Sequence, residues 1–260
     1  GGVAGLVLTR TFIGVATGAL LARLGYTLLS IGLSQRRTDF LRWGVRRASL
    51  ADIRQAAAPG MLFLSLSLTN ALSLQGFTLL VAATLGPAAT AVFNTYRTVA
   101  RIVVQITNGL SNPLWPELTA LNGQKDDGAF WRLYRRANRL GLLIAAAGAL
   151  LVYLVAPWLL ELWTHGQIPF TATSMALFLL YAAVCSATQI PRVVLMAINR
   201  HGGLAWQSLL AALVSLGVAW LVWRSAGMTG VVAAMVLGEA LVWFTATRAV
   251  HRLRAVRAAA

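Results

Sequence analysis

Long apolar stretches alternate with short polar or basic segments along the whole chain. A membrane helix needs roughly 20 mostly apolar residues, and backbone groups cannot stay unpaired in hydrocarbon, so each apolar stretch is predicted to be helical. The pattern predicts seven membrane helices with ends defined to within a few residues. They cover approximately residues 11–33, 56–83, 88–115, 138–160, 170–198, 204–223 and 228–248.

Arginines concentrate in every second segment between these predicted helices. The segment "SQRRTDFLRWGVRRASLADIR" carries six arginines and two aspartates, and "NGQKDDGAFWRLYRRANR", "NRHGG" and "TRAVHRLRAVR" are also basic. In contrast, "LGP" and "WTHGQIP" hold no Lys or Arg, and the turn before the last helix has only Arg224. Because cytoplasmic loops are enriched in Lys and Arg, the alternation predicts a cytoplasmic C-terminus and Gly1 on the outside.

Composition supports a multi-pass membrane protein and argues against a nucleic-acid partner. Of 260 residues, 58% are hydrophobic and 11% charged, whereas soluble domains are about a quarter charged. The mean hydropathy is +0.71. A net charge of +15 would suggest nucleic acid in a soluble chain, but here the arginines lie between apolar stretches. The single Cys185 excludes a disulfide framework and a thiolate metal cluster, and we expect no cofactor.

The order of segments predicts part of a longer transporter. The chain opens "GGVAG", without an initiator Met or a signal pattern, as expected for a piece of a longer protein. One helix, a basic segment and six further helices look like the end of one half and all of a second. In the basic segment, Phe40, Leu41, Trp43 and Val45 alternate with arginines. Two interpretations stay open for it: an amphipathic helix on the anionic leaflet, or a solvated linker.

The third predicted helix carries a continuous polar face within its apolar sequence. Steps of three or four residues keep side chains on one side of a helix. Seven polar residues follow this spacing: Thr90, Asn94, Arg97, Arg101, Gln105, Asn108 and Asn112. The opposite side carries valine, isoleucine and leucine, which suits lipid or a neighbouring helix. The polar face is therefore expected to meet protein or a water-filled cavity.

Two arginines of this face lie near the middle of the bilayer. At 1.5 Å per residue, Arg97 is about 15 Å below the outer end near Pro87, and Arg101 is about 6 Å deeper. Each such arginine costs roughly 2.5 to 3.5 kcal/mol on insertion scales. Few carboxylates can compensate: Glu117 lies at the inner end of the same helix and Glu239 in the seventh. A cavity rich in arginine favours an anionic ligand.

Structural explanations for the same residues stay open. Arg97 and Arg101 could pair with an upstream carboxylate or with backbone carbonyls at a helix break. Arg192, a third arginine within an apolar stretch, follows Pro191, which removes a helix hydrogen bond, so it could cap freed carbonyls. Glu239 is either a proton-coupling group or the partner of an arginine.

The stretch "LGPAATAVFNTYRTVARIVVQITNGLSNPLWPELTAL" closely resembles the Wzx-like oligosaccharide flippases, a bacterial polysaccharide-export family. The likeness rests on a Gly before an Ala-rich start, the "NTYRT" patch, a downstream Arg and Gln, and "PE" at the inner helix end. Further matches are "PGMLFLSLSLTNALSLQG", "LLELWTHGQIP" and "AINRHG". The likeness extends over nearly the whole chain as the C-terminal part of a longer protein.

The resemblance implies a fold of two six-helix lobes across a central cavity, shared with multidrug exporters of the MATE-like superfamily. Residues 1–33 would end the first lobe and 34–55 would form a basic cytoplasmic linker. Residues 56–254 would form the second lobe and 255–260 a cytoplasmic tail. The missing N-terminal lobe, the lipid bilayer and the lipid-linked substrate would be the partners, in the bacterial inner membrane.

The family moves undecaprenyl-diphosphate-linked oligosaccharides from the cytoplasmic to the periplasmic leaflet, and nothing is chemically transformed. By resemblance, Arg97, Arg101 and Arg192 would contribute to a cationic cavity. The hypothesis is that the diphosphate pairs with Arg97 and Arg101, whose guanidinium groups suit phosphate oxygens. Sugar hydroxyls would bind Asn94, Gln105 and Asn108, and the lobes would rock to open outward.

Two other classes of function remain as alternatives. A multidrug cation exporter of the same superfamily should use intramembrane carboxylates, of which this part of the chain has few. A membrane-embedded glycosyl- or acyltransferase would need a His or carboxylate at the membrane face, and the three histidines have no paired base. A voltage sensor needs a longer arginine ladder.

Overall fold

The computed structural model describes residues 11–37, 49–200 and 202–259, and within these ranges the chain is helical apart from short turns, with no β-strand. The predicted all-helical membrane class is confirmed. The described elements follow in the order α1 Phe12–Arg37, α2 Leu50–Ala71, a π-helical segment Leu72–Gly76, α3 Phe77–Gly123, α4 Asp127–Thr164, α5 Ala172–Ala197 and α6 Gly202–Ala259.

Two of these helices fold back on themselves at a glycine. The backbone of α3 leaves the helical conformation at Gly86, where φ is 84° and ψ is 180°, and that of α6 does so at Gly227. Residues at equal distances from Gly86 meet, since Thr78 and Asn94 lie 3.5 Å apart across it. Across Gly227, a Cβ at Gly238 would lie 2.6 Å from the Ser215 Cβ. Each helix is therefore a hairpin with two antiparallel arms.

The hairpins account for the number of membrane helices. Five described helical stretches are long and apolar enough to cross a membrane. Two of them, Ser67–Gly123 and Gly202–Arg257, contain 57 and 56 residues, more than twice the roughly 20 that a crossing needs. Because these two contain the folds at Gly86 and Gly227, each supplies two spans. The total agrees with the seven predicted membrane helices.

Several helices extend beyond the predicted apolar spans. The helix predicted from residue 138 begins at Asp127, and the last helix continues to Ala259 rather than ending near 248. Helix ends follow capping groups rather than the edge of the apolar stretch. The Asp126 side chain accepts a 2.8 Å hydrogen bond from the Ala129 N–H at the start of α4.

The segment predicted as a linker, 34–55, is helical where it is described. α1 reaches Arg37 and α2 begins at Leu50. Ser49 and Asp52 cap α2 reciprocally, with the Asp52 N–H donating to Ser49 Oγ at 3.1 Å and the Ser49 N–H donating to Asp52 Oδ2 at 3.0 Å. The bonds from Ser49 lower the pKa of Asp52. Residues 38–48, including the aromatic and aliphatic side chains considered for an amphipathic helix, lie outside the described residues.

Contacts divide the chain into residues 1–57 and residues 58–260. In the first unit, α1 exposes large apolar side chains; Leu21 and Leu28 are each 68% exposed, as suits a helix surrounded by lipid or protein. The second unit has two hydrophobic clusters. One surrounds Phe93, Tyr96 and Phe178, and the other surrounds Leu118, Phe130 and Trp131.

Tyr96 joins the core of the second unit to the segment before α5. Its side chain is fully buried. The hydroxyl donates to the Pro169 carbonyl and accepts from the Thr171 N–H, each at 2.7 Å. The ring centroid lies 5.9 Å from that of Phe178 on α5. One side chain thus fixes both the start of α5 and its packing against α3.

We expect Tyr96→Phe to lower the free energy of unfolding of the full-length protein in detergent by about 2 kcal/mol. The ring stays, but two backbone groups lose their partner, and each net hydrogen bond contributes about 1 kcal/mol. Thermal unfolding measures the change. Tyr153→Phe is the matched control, because the hydroxyl of the half-buried Tyr153 makes no described hydrogen bond. Equal stability of the two variants would contradict the role of the Tyr96 hydroxyl.

Gly86→Ala tests the first hairpin. No atom lies within 4 Å of an added Cβ, so the strain comes from the backbone, whose φ of +84° L-residues rarely adopt. Such conformations cost on the order of 1 to 3 kcal/mol, and thermal unfolding should show that loss. Gly217→Ala also meets open space but in ordinary helix, so it should be neutral or stabilising by up to about 1 kcal/mol. A stable Gly86→Ala variant would argue against the fold at this residue.

Candidate functional site

The predicted polar face runs along the second arm of α3, residues 87–123, on the side turned away from the core. Val99 and Val103, from the opposite side of the arm, are 1% and 0% exposed. Arg101, Gln105 and Asn112 are exposed, whereas Asn94, Arg97 and Asn108 are half-buried. The valines therefore pack inside the second unit, and the polar side chains are accessible on the outer surface of this arm.

Arg97 is held by three hydrogen bonds. One terminal nitrogen donates to the Leu74 carbonyl at 2.7 Å. The other donates to Thr78 Oγ1 at 2.9 Å and to Asn94 Oδ1 at 2.8 Å. The guanidinium carbon also lies 5.0 Å from the centre of the Phe93 ring. Pairing with a backbone carbonyl, an alternative that the sequence left open, is thus observed at Leu74.

The acceptor for Arg97 lies in an irregular turn. Residues Leu72–Gly76 form a π-helical segment, in which carbonyls pair with amides five residues on instead of four. The Leu74 carbonyl in this segment accepts both from Arg97 and from the Thr78 hydroxyl, at 2.7 and 2.8 Å. π-Helical turns are frequent at functional sites. Here the turn supplies a carbonyl that the arginine reaches from the facing arm.

The partners of Arg97 are neutral, so its charge is not balanced by them. An arginine has five N–H donors; three are used, and the Nε–H and one terminal N–H remain for another acceptor. Hydrogen bonds to a carbonyl, a hydroxyl and an amide orient the group without adding a negative charge. The result is a fixed cation with spare donors.

Arg101 lies one helical turn further along the same face and is not held in this way. It is exposed, and within residues 11–37, 49–200 and 202–259 it forms no hydrogen bond or ion pair. Gln105, one turn beyond it, is also exposed. The face therefore combines one anchored arginine with a second that is free to follow a ligand.

Arg192 lies on α5 at a different depth. A Cβ at Gly141 would touch both Ile190 and Leu110, so residues near 190 are level with Leu110. That position is 13 residues from Arg97 along α3, on the order of 20 Å. The Nε atom of Arg192 is buried and has no described hydrogen-bond partner. Arg192, half-buried as a residue, is therefore a separate cation rather than a neighbour of the arginine pair.

The sequence did not single out Tyr181 and Cys185. On α5, Cys185 lies one helical turn from Tyr181 and close enough to Glu239 on α6 to interact with it electrostatically. Tyr181 in turn lies close enough to Arg97 to interact with it electrostatically. Glu239 thus faces a thiol and forms no ion pair with an arginine among the described residues. In the sequence, the four-residue spacing of Tyr181 and Cys185 inside an apolar stretch indicates that the two side chains share one helix face.

The sequence matches no protein-family model and no curated protein. Similarity is found among solved structures. A crystal structure of a mutant MATE protein aligns with a TM-score of 0.77 at 14% identity, over 96% of this chain and 57% of that chain. The outward-facing conformation of a multidrug resistance MATE family transporter of the MOP superfamily aligns with a TM-score of 0.69 at 16% identity, over 96% and 58%.

These similarities show the fold. The chain is a multi-pass membrane protein with the fold of MATE transporters, and it spans a little over half the length of the solved chains that it matches. At 14% to 16% identity, the likeness does not extend to a substrate. Those structures belong to transporters and not to enzymes.

The difference between the anchored and the free arginine is measurable as stability. We expect Arg97→Ala to destabilise the full-length protein by about 1 to 3 kcal/mol, because Asn94 and the Leu74 carbonyl lose a charged donor. Arg101→Ala should change stability by less than about 0.5 kcal/mol, as for other exposed positions without partners. Thermal unfolding of both variants checks this, and an equal loss for both would contradict the described hydrogen bonds of Arg97.

Proposed function

We propose that this chain is part of a flippase that moves undecaprenyl-diphosphate-linked oligosaccharide from the cytoplasmic to the periplasmic leaflet of a bacterial inner membrane. The product would serve assembly of a surface polysaccharide. The observation that carries the proposal is the pair of arginines on the exposed polar face of α3. They have no carboxylate partner among the described residues, and the count of residues from Pro87 predicts a depth near the bilayer centre. A charge in this position needs an anionic partner.

The proposed roles differ between the two arginines. Arg97, held by Leu74, Thr78 and Asn94, offers its Nε–H and its spare terminal N–H to separate oxygens of the diphosphate. Arg101 is free to move with the diphosphate as it passes, and guanidinium groups bind phosphate oxygens through two parallel hydrogen bonds. Gln105 and Asn108 would bind sugar hydroxyls, and the prenyl chain would stay in lipid.

The proposed transport cycle would need a second, N-terminal lobe. The chain spans only part of the two-lobe transporters that it resembles in fold, and a cavity between lobes would cover the polar face. Alternating access would then open this cavity first to the cytoplasm and then outward. Basic segments at one side of the membrane support a cytoplasmic C-terminus. Arg192, at its own depth, would meet the substrate at a different stage from the arginine pair.

A multidrug cation exporter is the second candidate. Two observations favour it: the fold is that of a multidrug resistance MATE family transporter, and Glu239 is a carboxylate within the membrane. The charge of the polar face weighs against it, because two arginines without a carboxylate repel a cationic drug.

Transport by the full-length protein in liposomes separates the two functions. With a fluorescent lipid-linked oligosaccharide, we expect Arg101→Gln to lower the flipping rate at least about tenfold, because a charge-assisted bond to phosphate is worth about 1.5 to 3 kcal/mol. Arg101→Lys should keep part of the activity. Arg252→Gln, an equal change of charge at an exposed tail position, should leave the rate unchanged.

Equal rates for Arg101→Gln and the wild type would reject the proposed phosphate contact. Export of a cationic dye that is abolished by Glu239→Gln, without flipping of the lipid-linked oligosaccharide, would establish the second candidate instead. Because Arg101→Ala is expected to be stable, a loss of transport in Arg101 variants reports on function rather than on folding.

A further inference from the structure

A basic cavity lies between the first turns of α4 and the last turns of α6. Its volume is about 190 Å³. Helix α4 contributes Trp131, Arg135 and Arg139, which recur every four residues and so share one helix face. This volume suits a phosphate group and its oxygens rather than a protein segment.

Helix α6 supplies the facing wall. Thr247, His251 and Arg254 line the cavity, at the three- and four-residue spacing of one helix face. The Thr247 hydroxyl oxygen is buried and has no described hydrogen-bond partner. A buried hydroxyl without a partner is costly, and a ligand oxygen in the cavity would satisfy it.

The cavity is cationic and its charges are unpaired. Three arginines line it, and none of the lining residues is a carboxylate. The nearby carboxylates are used elsewhere: Asp127 pairs with Arg257 at 2.8 Å, and Asp126 caps α4. The arginines of the cavity form no ion pair among the described residues. An anion is therefore the ligand that this charge distribution favours.

The surface next to the cavity favours a lipid over a soluble anion. Leu143 continues the face of Arg135 and Arg139 by one turn, and Phe244 precedes Thr247 by three residues on the face of α6. Leu143 is 67% exposed and Phe244 51% exposed. Acyl chains can follow Leu143 and Phe244 while the headgroup enters the cavity.

We propose that this cavity binds the phosphate headgroup of an anionic phospholipid of the adjacent leaflet. Arg135, Arg139 and Arg254 would contact the phosphate oxygens, and the Thr247 hydroxyl would donate to one of them. Basic pockets between membrane helices are known binding places for lipid headgroups. The site shares no residue with the polar face of α3, so it is independent of the proposed flippase activity.

Lipid binding to the purified full-length protein tests the proposal, by native mass spectrometry in detergent with graded phosphatidylglycerol or phosphatidylcholine. The test variant is Arg135→Gln, Arg139→Gln and Arg254→Gln together. The matched control is Arg132→Gln, Arg136→Gln and Arg252→Gln, three exposed arginines on the same helix ends that do not line the cavity. Both variants lose the same charge, so their difference reports on the cavity.

We expect the wild type to bind phosphatidylglycerol more tightly than phosphatidylcholine, and the test variant to bind it at least about tenfold more weakly than the control, since each arginine near a membrane surface contributes appreciably to binding of anionic lipid. Thr247→Val removes a hydroxyl without changing the charge and should weaken binding several-fold. This second variant keeps the test decisive if the triple variant does not fold.

Three results would overturn the proposal. The first is equal binding of phosphatidylglycerol by the test and control variants, which would indicate only diffuse attraction to the helix ends. The second is no preference of the wild type for phosphatidylglycerol over phosphatidylcholine. The third is binding of inorganic phosphate as tightly as the lipid, which would assign the cavity to a soluble anion.

Discussion

The Arg97 guanidinium connects the two arms of the hairpin at Gly86, and the geometry of the polar face depends on this connection. Its bonds to the Leu74 carbonyl and Thr78 belong to one arm, and its bond to Asn94 belongs to the other. In hydrocarbon, an arginine without acceptors would be expelled or would draw water inward. The π-helical segment provides a carbonyl at the required depth, so the irregular turn and the arginine stabilise each other.

The neutral character of these acceptors determines the electrostatics of the face. A carboxylate at the position of Thr78 would have cancelled the charge and left an ordinary structural ion pair. A carbonyl, a hydroxyl and an amide satisfy the donors and leave the cation uncompensated. Arg101, one turn away, adds a second positive charge. Since like charges at this spacing repel, an anion that binds both would relieve the repulsion as well as pair with each arginine.

The polar face, the number of membrane helices and the breaks near Gly86 and Gly227 could be predicted because they depend on local periodicity and on apolar length. The hydrogen-bond partners of Arg97 could not be predicted, because the Leu74 carbonyl is 23 residues away. Arg97 reaches this carbonyl only after the hairpin forms. The depth of Arg192 relative to Arg97 depends on how α5 packs beside α3. The electrostatic interaction of Cys185 with Glu239 links α5 and α6, so the spacing of residues along one helix does not predict it. Helix ends such as Asp127 could not be predicted from hydropathy, because a capping hydrogen bond determines where the helix begins.

The few carboxylates of the chain explain why its positive charges stay available. Of the acidic residues in the described ranges, Asp52 and Asp126 cap helices, Asp127 pairs with Arg257, and Glu239 faces Cys185. Glu117 and Glu161 are exposed. None of the six forms an ion pair with an arginine of the polar face or of the basic cavity in the described chain. Under both proposals, a lipid phosphate supplies the negative charge and carries its own apolar chain into the membrane. The same chemistry thus suits an arginine pair at mid-depth and a basic cavity at the helix ends, without requiring that one lipid occupies both.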